Sequence, residues 1–320
     1  MESISELREV GALDIIGKRR TYLAISAILV VIGVVTLAVK GLNLGVDFTG
    51  GSLIRLRFER SVTAGEVSSV LTSDALADMN LGKAVIQPIR GTCDVQVRAQ
   101  VEGKPLSDLQ VNKIIDELSK SLGYVSLVES QMVEAVIGKE LLNKAILAIT
   151  LSCVGIVAYV SLRFEFKFGV AAVCALIHDT IIVLGVFALL GRQVNSPFIA
   201  AILTIIGYSI NDTIVIYDKI RENLKFRKKE TIEEIANSSI LQTMTRSINT
   251  VVTTLLAVLA LYFFGGASIK DFSLAIILGL IAGTYSSICI APSIWVEWTL
   301  WDKERKMRQV TSGRMSPKDA

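Results

Sequence analysis

The chain has 320 residues, 52% of them hydrophobic, with a net charge of +3 and four cysteines. Its apolar residues gather in long runs, which excludes an ordinary soluble domain, where polar residues interrupt the pattern at the helix or strand period. Basic residues cluster at 18–20, 163–167, 219–229 and 303–308, beside those runs. That is a positive-inside distribution and, with no aromatic interleaving or binding motif, excludes a nucleic-acid groove.

Residues 1–20 read as a short cytoplasmic segment. Residues 21–39 carry no charge and outrun a signal-peptide core, so they form a first membrane span that is retained as an anchor. The next segment, GVDFTGG at 45–51, is a glycine-rich turn or hinge with Gly45, Asp47, Gly50 and Gly51 as its key residues. It is no phosphate-binding loop, because no Lys-Ser/Thr pair follows.

Residues 40–140 form one large insert. The pattern predicts strand 52–58, helix 63–77, strand 84–90, strand 94–101, helix 107–122 and strand 124–133, with Gly91 turning between the middle strands. That βαββαβ order is a ferredoxin-like α+β domain. The fold class is therefore a membrane all-α bundle of six transmembrane helices with this domain inserted outside the cytoplasm.

The remaining five spans fall within 141–298, at 141–162, 169–190, 198–218, 247–264 and 271–298. Charge asymmetry and an even span count put both termini in the cytoplasm. The cytoplasmic loop 219–246 carries a capping box, Thr231 with Glu234, that starts a short helix. This helix lies on the membrane surface or packs against the bundle. Residues 299–320 are a cytoplasmic basic tail with no assigned role. Cys153, Cys174 and Cys289 lie in apolar runs and Cys93 alone in the polar insert, so neither a structural disulfide nor a metal site is expected.

A carboxylate within hydrocarbon costs about 2.5–3.5 kcal/mol on insertion scales, so each one needs a reason. Asp212 stands out, about 9 Å inside the cytoplasmic end of its span at 1.5 Å per residue. Gly207, Ser209 and Asn211 let a neighbouring helix approach it and offer hydrogen bonds. Either Asp212 takes up and releases a proton as its surroundings change, or it joins two helices as a fixed hydrogen-bonded acid. Arg246 opens the fifth span at a similar depth, as a partner for Asp212 or as a snorkelling anchor. Asp179 is a second candidate for the proton pathway; His178 beside it points about 100° away and need not touch it. Asp218, beside Lys219, reaches the interface. Gly279 and Gly283 form a GxxxG packing face.

These segments together resemble the SecF members of the SecD/SecF family: GVDFTGG at 45–51, LRFEFK at 162–167, HD at 178–179, GYSINDTIVIYDKIREN at 207–223, TRSINT at 245–250 and FGG at 264–266. The likeness runs from Asp14 to Trp298. It implies a six-span module of the resistance-nodulation-division superfamily, paired with SecD and associated with the Sec translocon channel in a bacterial inner membrane. Such a complex uses the proton-motive force to pull unfolded preproteins outward. The family's membrane aspartate matches Asp212, its arginine Arg246 and its glycine-rich-motif aspartate Asp47. The resemblance implies no enzyme and no cofactor, with protons as the coupling ion. The alternative is a solute or drug exporter of the same superfamily, although such exporters carry two halves in one chain. An aspartyl-protease dyad fails, because Asp212 and Asp218 lie about 240° apart on one helix.

Overall fold

The computed structural model describes residues 13–89, 91–226 and 229–311. They divide into two compact units, Leu44–Ala148 with Gln193–Ser196, and the rest of the chain.

The first unit is the insert. The motif at 45–51 folds into a one-turn helix α2 (Val46–Thr49), which leads into strand β2 (Gly51–Phe58). Before α2, strand β1 (Asn43–Leu44) is followed by Gly45, whose N–H bonds Val194 O at 2.7 Å. Helix α3 (Ala64–Leu71) begins at a capping box between Thr63 and Glu66. It stops six residues short of the expected end. Thr72 and Ser73 turn their hydroxyls back onto Ser68 O and Val70 O, and tight 3₁₀ turns at Asp74–Met79 and Leu81–Lys83 follow.

Strands β3 (Val85–Pro88) and β4 (Asp94–Ala99), helix α4 (Asp108–Leu122) and strand β5 (Val125–Val133) complete the unit. Arg90, expected to end a strand, lies outside the described residues. The four-stranded sheet has the order β3-β4-β2-β5, and all its pairings are antiparallel. Alternation along β2 sends Ile54, Leu56 and Phe58 into the core with Val67, Leu71, Ile114 and Leu118 from the two helices. The opposite face is polar. There Arg55 pairs with Glu129, and Arg57 holds Asp94 with Nε and Nη2 at 2.7 and 3.1 Å. The Arg57 guanidinium keeps the Asp94 carboxyl below its ordinary range, chiefly by that hydrogen bond.

The second unit holds the membrane bundle. Helices α1 (Arg19–Lys40), α5 (Ala135–Arg163), which belongs to the first unit as far as Ala148, α6 (Phe166–Leu190), α7 (Ser196–Phe226), whose Ser196 does too, and α8 (Ile232–Phe264) are each long and apolar enough to span a bilayer. The sixth span is α9 (Ala267–Tyr285), a π-turn (Ser286–Ile290) and α10 (Ala291–Thr311). Strand β6 (Gln193–Val194) separates α6 from α7.

The region expected as the loop 219–246 is mostly helix. Helix α7 continues to Phe226, and α8 starts at the Thr231–Glu234 capping box and runs unbroken into the fifth span. Its first turns are not a separate surface helix, because Ile235, Ala236 and Ile240 are buried. Ala236 and Ile240 share a cluster with Ile16, Phe168, Tyr217 and Trp295. Phe168 lies at its centre, 4.5 Å from the Tyr217 ring and stacked 4.7 Å from Trp295. Asn237 accepts the Ile15 and Ile16 N–H groups at 2.9 and 3.2 Å, tying the chain before α1 to α8. The basic tail is helical as far as Thr311, and Lys167 pairs with Asp302 on it.

Candidate functional site

Asp212 lies at the middle of α7 on the face that carries Ile205, Ser209 and Ile216, and it is only 6% exposed. Helix periodicity turns this carboxylate into the bundle while Gly207, Asn211 and Asp218 are exposed on the same helix. Across from it, α8 supplies the two groups that act on its charge, the Ser247 hydroxyl and the Arg246 guanidinium. Ser247 Oγ is buried beside the acid yet closes no hydrogen bond. Among the described residues the carboxylate thus closes no hydrogen bond of ordinary geometry, with the Ser247 hydroxyl its nearest donor and a cation within electrostatic reach.

Arg246 itself is exposed and lines a cleft of about 480 Å³ with Arg163, Asp218, Lys219, Glu222 and Gln242. Lys219 is paired with Glu222 at 3.0 Å. Asp212 lines a different and much smaller cavity with Tyr208, Ser209, Gly279, Gly283 and Thr284, among others. The acid and the arginine thus border separate spaces.

Asp179 has the opposite character. It sits on α6, 1% exposed, and has three polar partners: Ser209 Oγ and Ser286 Oγ donate to Oδ2 at 2.9 and 2.7 Å, and His178 Nδ1 lies 3.0 Å from Oδ1. Adjacent side chains on a helix diverge, but here the imidazole folds back onto its neighbour, so His178 and Asp179 do touch. The π-turn aims Ser286 at Asp179 and Ser287 at Thr213, whose Oγ1 is 3.0 Å from Ser287 Oγ. This seam of Ser209, Thr213, Ser286 and Ser287 was not singled out from the sequence as a unit. Its signal was there, since Ser209 and Thr213 share the Asp212 face at helical spacing and two consecutive serines interrupt an apolar span.

Gly279 and Gly283 do pack as a small-residue face. A Cβ at Gly279 would meet the Ile205 side chain at 2.3 Å, and one at Gly283 would meet Ser209 Cβ at 3.1 Å. Gly207 and Asn211 do not. Nothing lies within 4 Å of a Cβ on Gly207, and Asn211 is exposed, so the packing expected of them has no partner among the described residues of this chain.

In the other unit, Asp47 accepts the Ser196 N–H at 2.7 Å, capping the first residue of the helix that further on carries Asp212. Gly50 and Gly51 have φ of +74° and +106°, and a Cβ on Gly50 would lie 2.5 Å from Ala135 Cα. Gly45 sits 3.2 Å, by the same measure, from Val194 O. These glycines are required for backbone conformation and close approach at the places where they stand. A groove of about 550 Å³ in this unit is lined by Met79, Leu81, Val85 and Val101 together with Asp78, Lys83, Arg98 and Glu102, among others, a mixed apolar and charged lining.

Residues 113–301 match the family model of "Protein export membrane protein SecD/SecF, C-terminal", and residues 35–62 match that of the SecD/SecF GG motif. The protein translocase subunit SecF of Alicyclobacillus acidocaldarius is 39% identical, over 94% of this chain and 96% of its own. That of Desulfurispirillum indicum is 42% identical over 87% and 90%. In the crystal structure of SecDF from Thermus thermophilus, a translocon-associated membrane protein, the match has a TM-score of 0.81 at 37% identity. It covers 90% of this chain and 38% of that one.

Proposed function

The chain belongs to the SecD/SecF family of protein export membrane proteins, as a multi-pass membrane protein of the SecF kind, and from that premise we propose that it uses the proton-motive force to promote preprotein export. In this scheme it pairs with SecD and works beside the Sec translocon channel on unfolded preproteins. Both termini face the cytoplasm, and residues 40–140 form an extracytoplasmic head. The strand order β3-β4-β2-β5, with two helices on one face, supports a ferredoxin-like description of that head.

The observation that carries this function is the state of Asp212: a buried carboxylate whose nearest donor, Ser247, closes no full hydrogen bond, within electrostatic reach of an arginine that lines a wide cleft. A proton on Asp212 neutralises the acid in its low-dielectric site. Approach of Arg246 favours the anion and releases the proton toward the cleft, on the side of the basic clusters. Asp179 completes the pathway as a second buried acid. Each charge that crosses 100 mV supplies about 2.3 kcal/mol, enough to bias a two-state helix arrangement by nearly fiftyfold. The Asp47 cap on α7 and the link at Gly50–Gly51 offer the route by which helix shifts tilt the head. The exposed stripe of Gly207 and Asn211 supports close docking of a second helical subunit.

Replacing Asp212 with Asn keeps the volume and removes the titrating group. In inverted membrane vesicles carrying SecD and the channel, Asp212→Asn is expected to abolish the stimulation of export by an imposed proton gradient while SecD remains bound. Full gradient-driven stimulation in that variant would refute the proposal.

A further inference from the structure

The proton path just proposed is taken one step further by the packing between α6, α7 and α9. We propose that Ser209 and a single water molecule connect Asp212 to Asp179, making Asp179 a second proton-holding site within this chain. The inference rests on Asp212 being the carrier.

Ser209 and Asp212 are three residues apart on α7 and therefore share a face. Both line the cavity of about 10 Å³, space for about one water molecule. Among its lining residues, Asp212, Ser209 and Thr284 carry the polar groups that such a water needs, while the Tyr208 hydroxyl is turned to Thr250 O and Thr254 Oγ1. On the far side, Ser209 Oγ donates to Asp179 Oδ2 at 2.9 Å. Ser209 thus bonds to one acid and borders the cavity of the other.

Gly283 keeps that space open. A methyl group there would stand 3.3 Å from Ser209 Oγ and 3.6 Å from Asp179 Oδ2, between the cavity and the second acid. The transfer balances without any co-reactant. Protonated Asp212 gives its proton to the water, the water gives one to Ser209 Oγ, and the hydroxyl proton of Ser209 moves to Asp179 Oδ2.

The surroundings of Asp179 suit both protonation states. Its hydrogen-bonding neighbours are His178 on α6, Ser209 on α7 and Ser286 on the π-turn, and among the described residues no lysine or arginine bonds it. When Asp179 is an anion, the imidazole donates from Nδ1. When Asp179 holds the proton on Oδ2, that O–H donates to Ser209 Oγ, whose own hydroxyl proton has turned to the cavity, and Oδ1 goes on facing the imidazole. Parking the proton on Asp179 leaves Asp212 free to meet Arg246 as an anion.

The test uses the purified complex with SecD in phospholipid vesicles, with inward proton flux read by a trapped pH dye. Ser209→Ala adds no bulk, so folding and SecD retention are expected to persist. Its flux should fall about a hundredfold, the lower range for loss of a positioned proton-transfer group. Gly283→Ala, whose added methyl group presses on Ser209 and on the space beside it, should do the same. Infrared difference spectra under an acid load should contain a carboxylic-acid band that Asp179→Asn removes and that Ser209→Ala also removes, a signature that a purely structural serine would not affect. Parental flux and an intact band in Ser209→Ala, with flux lost in Asp212→Asn, would overturn the relay and leave the carrier standing. Parental flux in Asp212→Asn would overturn both.

Discussion

Gly50 and Gly123 allow backbone strain to be separated from crowding within one domain. Gly50 has φ +74° and ψ 174°, and Gly123 has φ +94° and ψ −176°, so both occupy the region that is essentially reserved for glycine. Their surroundings differ. A Cβ on Gly50 would sit 2.5 Å from Ala135 Cα and 2.7 Å from its N, while one on Gly123 meets nothing within 4 Å. An alanine at Gly123 should therefore cost the backbone share alone, about 1–3 kcal/mol. At Gly50 the obstacle is backbone, which cannot rotate aside, and the overpacking cost of about 1–3 kcal/mol adds to it. Gly50→Ala is thus expected to destabilise the head by about 2–6 kcal/mol, always more than Gly123→Ala. Urea-dependent pulse proteolysis of the detergent-solubilised protein, scored by cleavage between residues 51 and 133, measures both. Equal losses in the two variants would refute the idea that the glycine-rich motif is needed for close approach at Ala135.

Other expectations concern charge, core and partner. Accepting the Thr63 N–H, with help from Arg60 and the Thr63 hydroxyl, pulls the Glu66 carboxyl down from 4.5 to about 2. A depressed pKa contributes stability above the unfolded value and loses it as the pH falls through the folded one. The stability advantage of the parent over Glu66→Gln should therefore be full above pH 4.5 and vanish by about pH 2, as followed by the same proteolysis. Phe168, 2% exposed between Tyr217 and Trp295, should cost about 3–5 kcal/mol when cut to alanine, seen as a lowered thermal midpoint of the solubilised chain. Gly207→Leu places bulk where this chain has open space, so the chain should accumulate normally. The SecD that co-purifies with it should fall about tenfold, or about 1.4 kcal/mol.

Much of the fold was legible in the sequence because a bilayer imposes length and polarity directly. Five of the six spans differ from expectation mainly at their ends, where a helix continues past the hydrocarbon as long as it has something to pack on. That is why the helix expected to start at Thr231 runs on into the fifth span, and why it packs against the bundle rather than lying on the membrane surface. Polarity there suggested a loop around a short helix, but Ala236 and Ile240 are buried in one cluster with Phe168, Tyr217 and Trp295, and tertiary burial outweighs local polarity. Helix α3 erred the other way, because Thr72 and Ser73 could turn their hydroxyls back onto the helix and end it.

The residues that matter for proton transfer divide along the same line. One ionisable group in an apolar run declares itself without any structure, since its cost must be offset somewhere, and Asp212, Asp179 and Arg246 were all visible on that ground. What offsets the cost was not visible. A helix face is periodic in sequence, but which neighbour meets it depends on crossing angles and small-residue contacts that no local pattern encodes. Only the packed bundle decides that Asp179 has three polar partners within 3.0 Å while Asp212 closes no full hydrogen bond among the described residues, and that Gly283 stands beside Ser209 while Gly207 faces open space. Composition determines where charge enters the membrane; packing determines which of those charges is free to change.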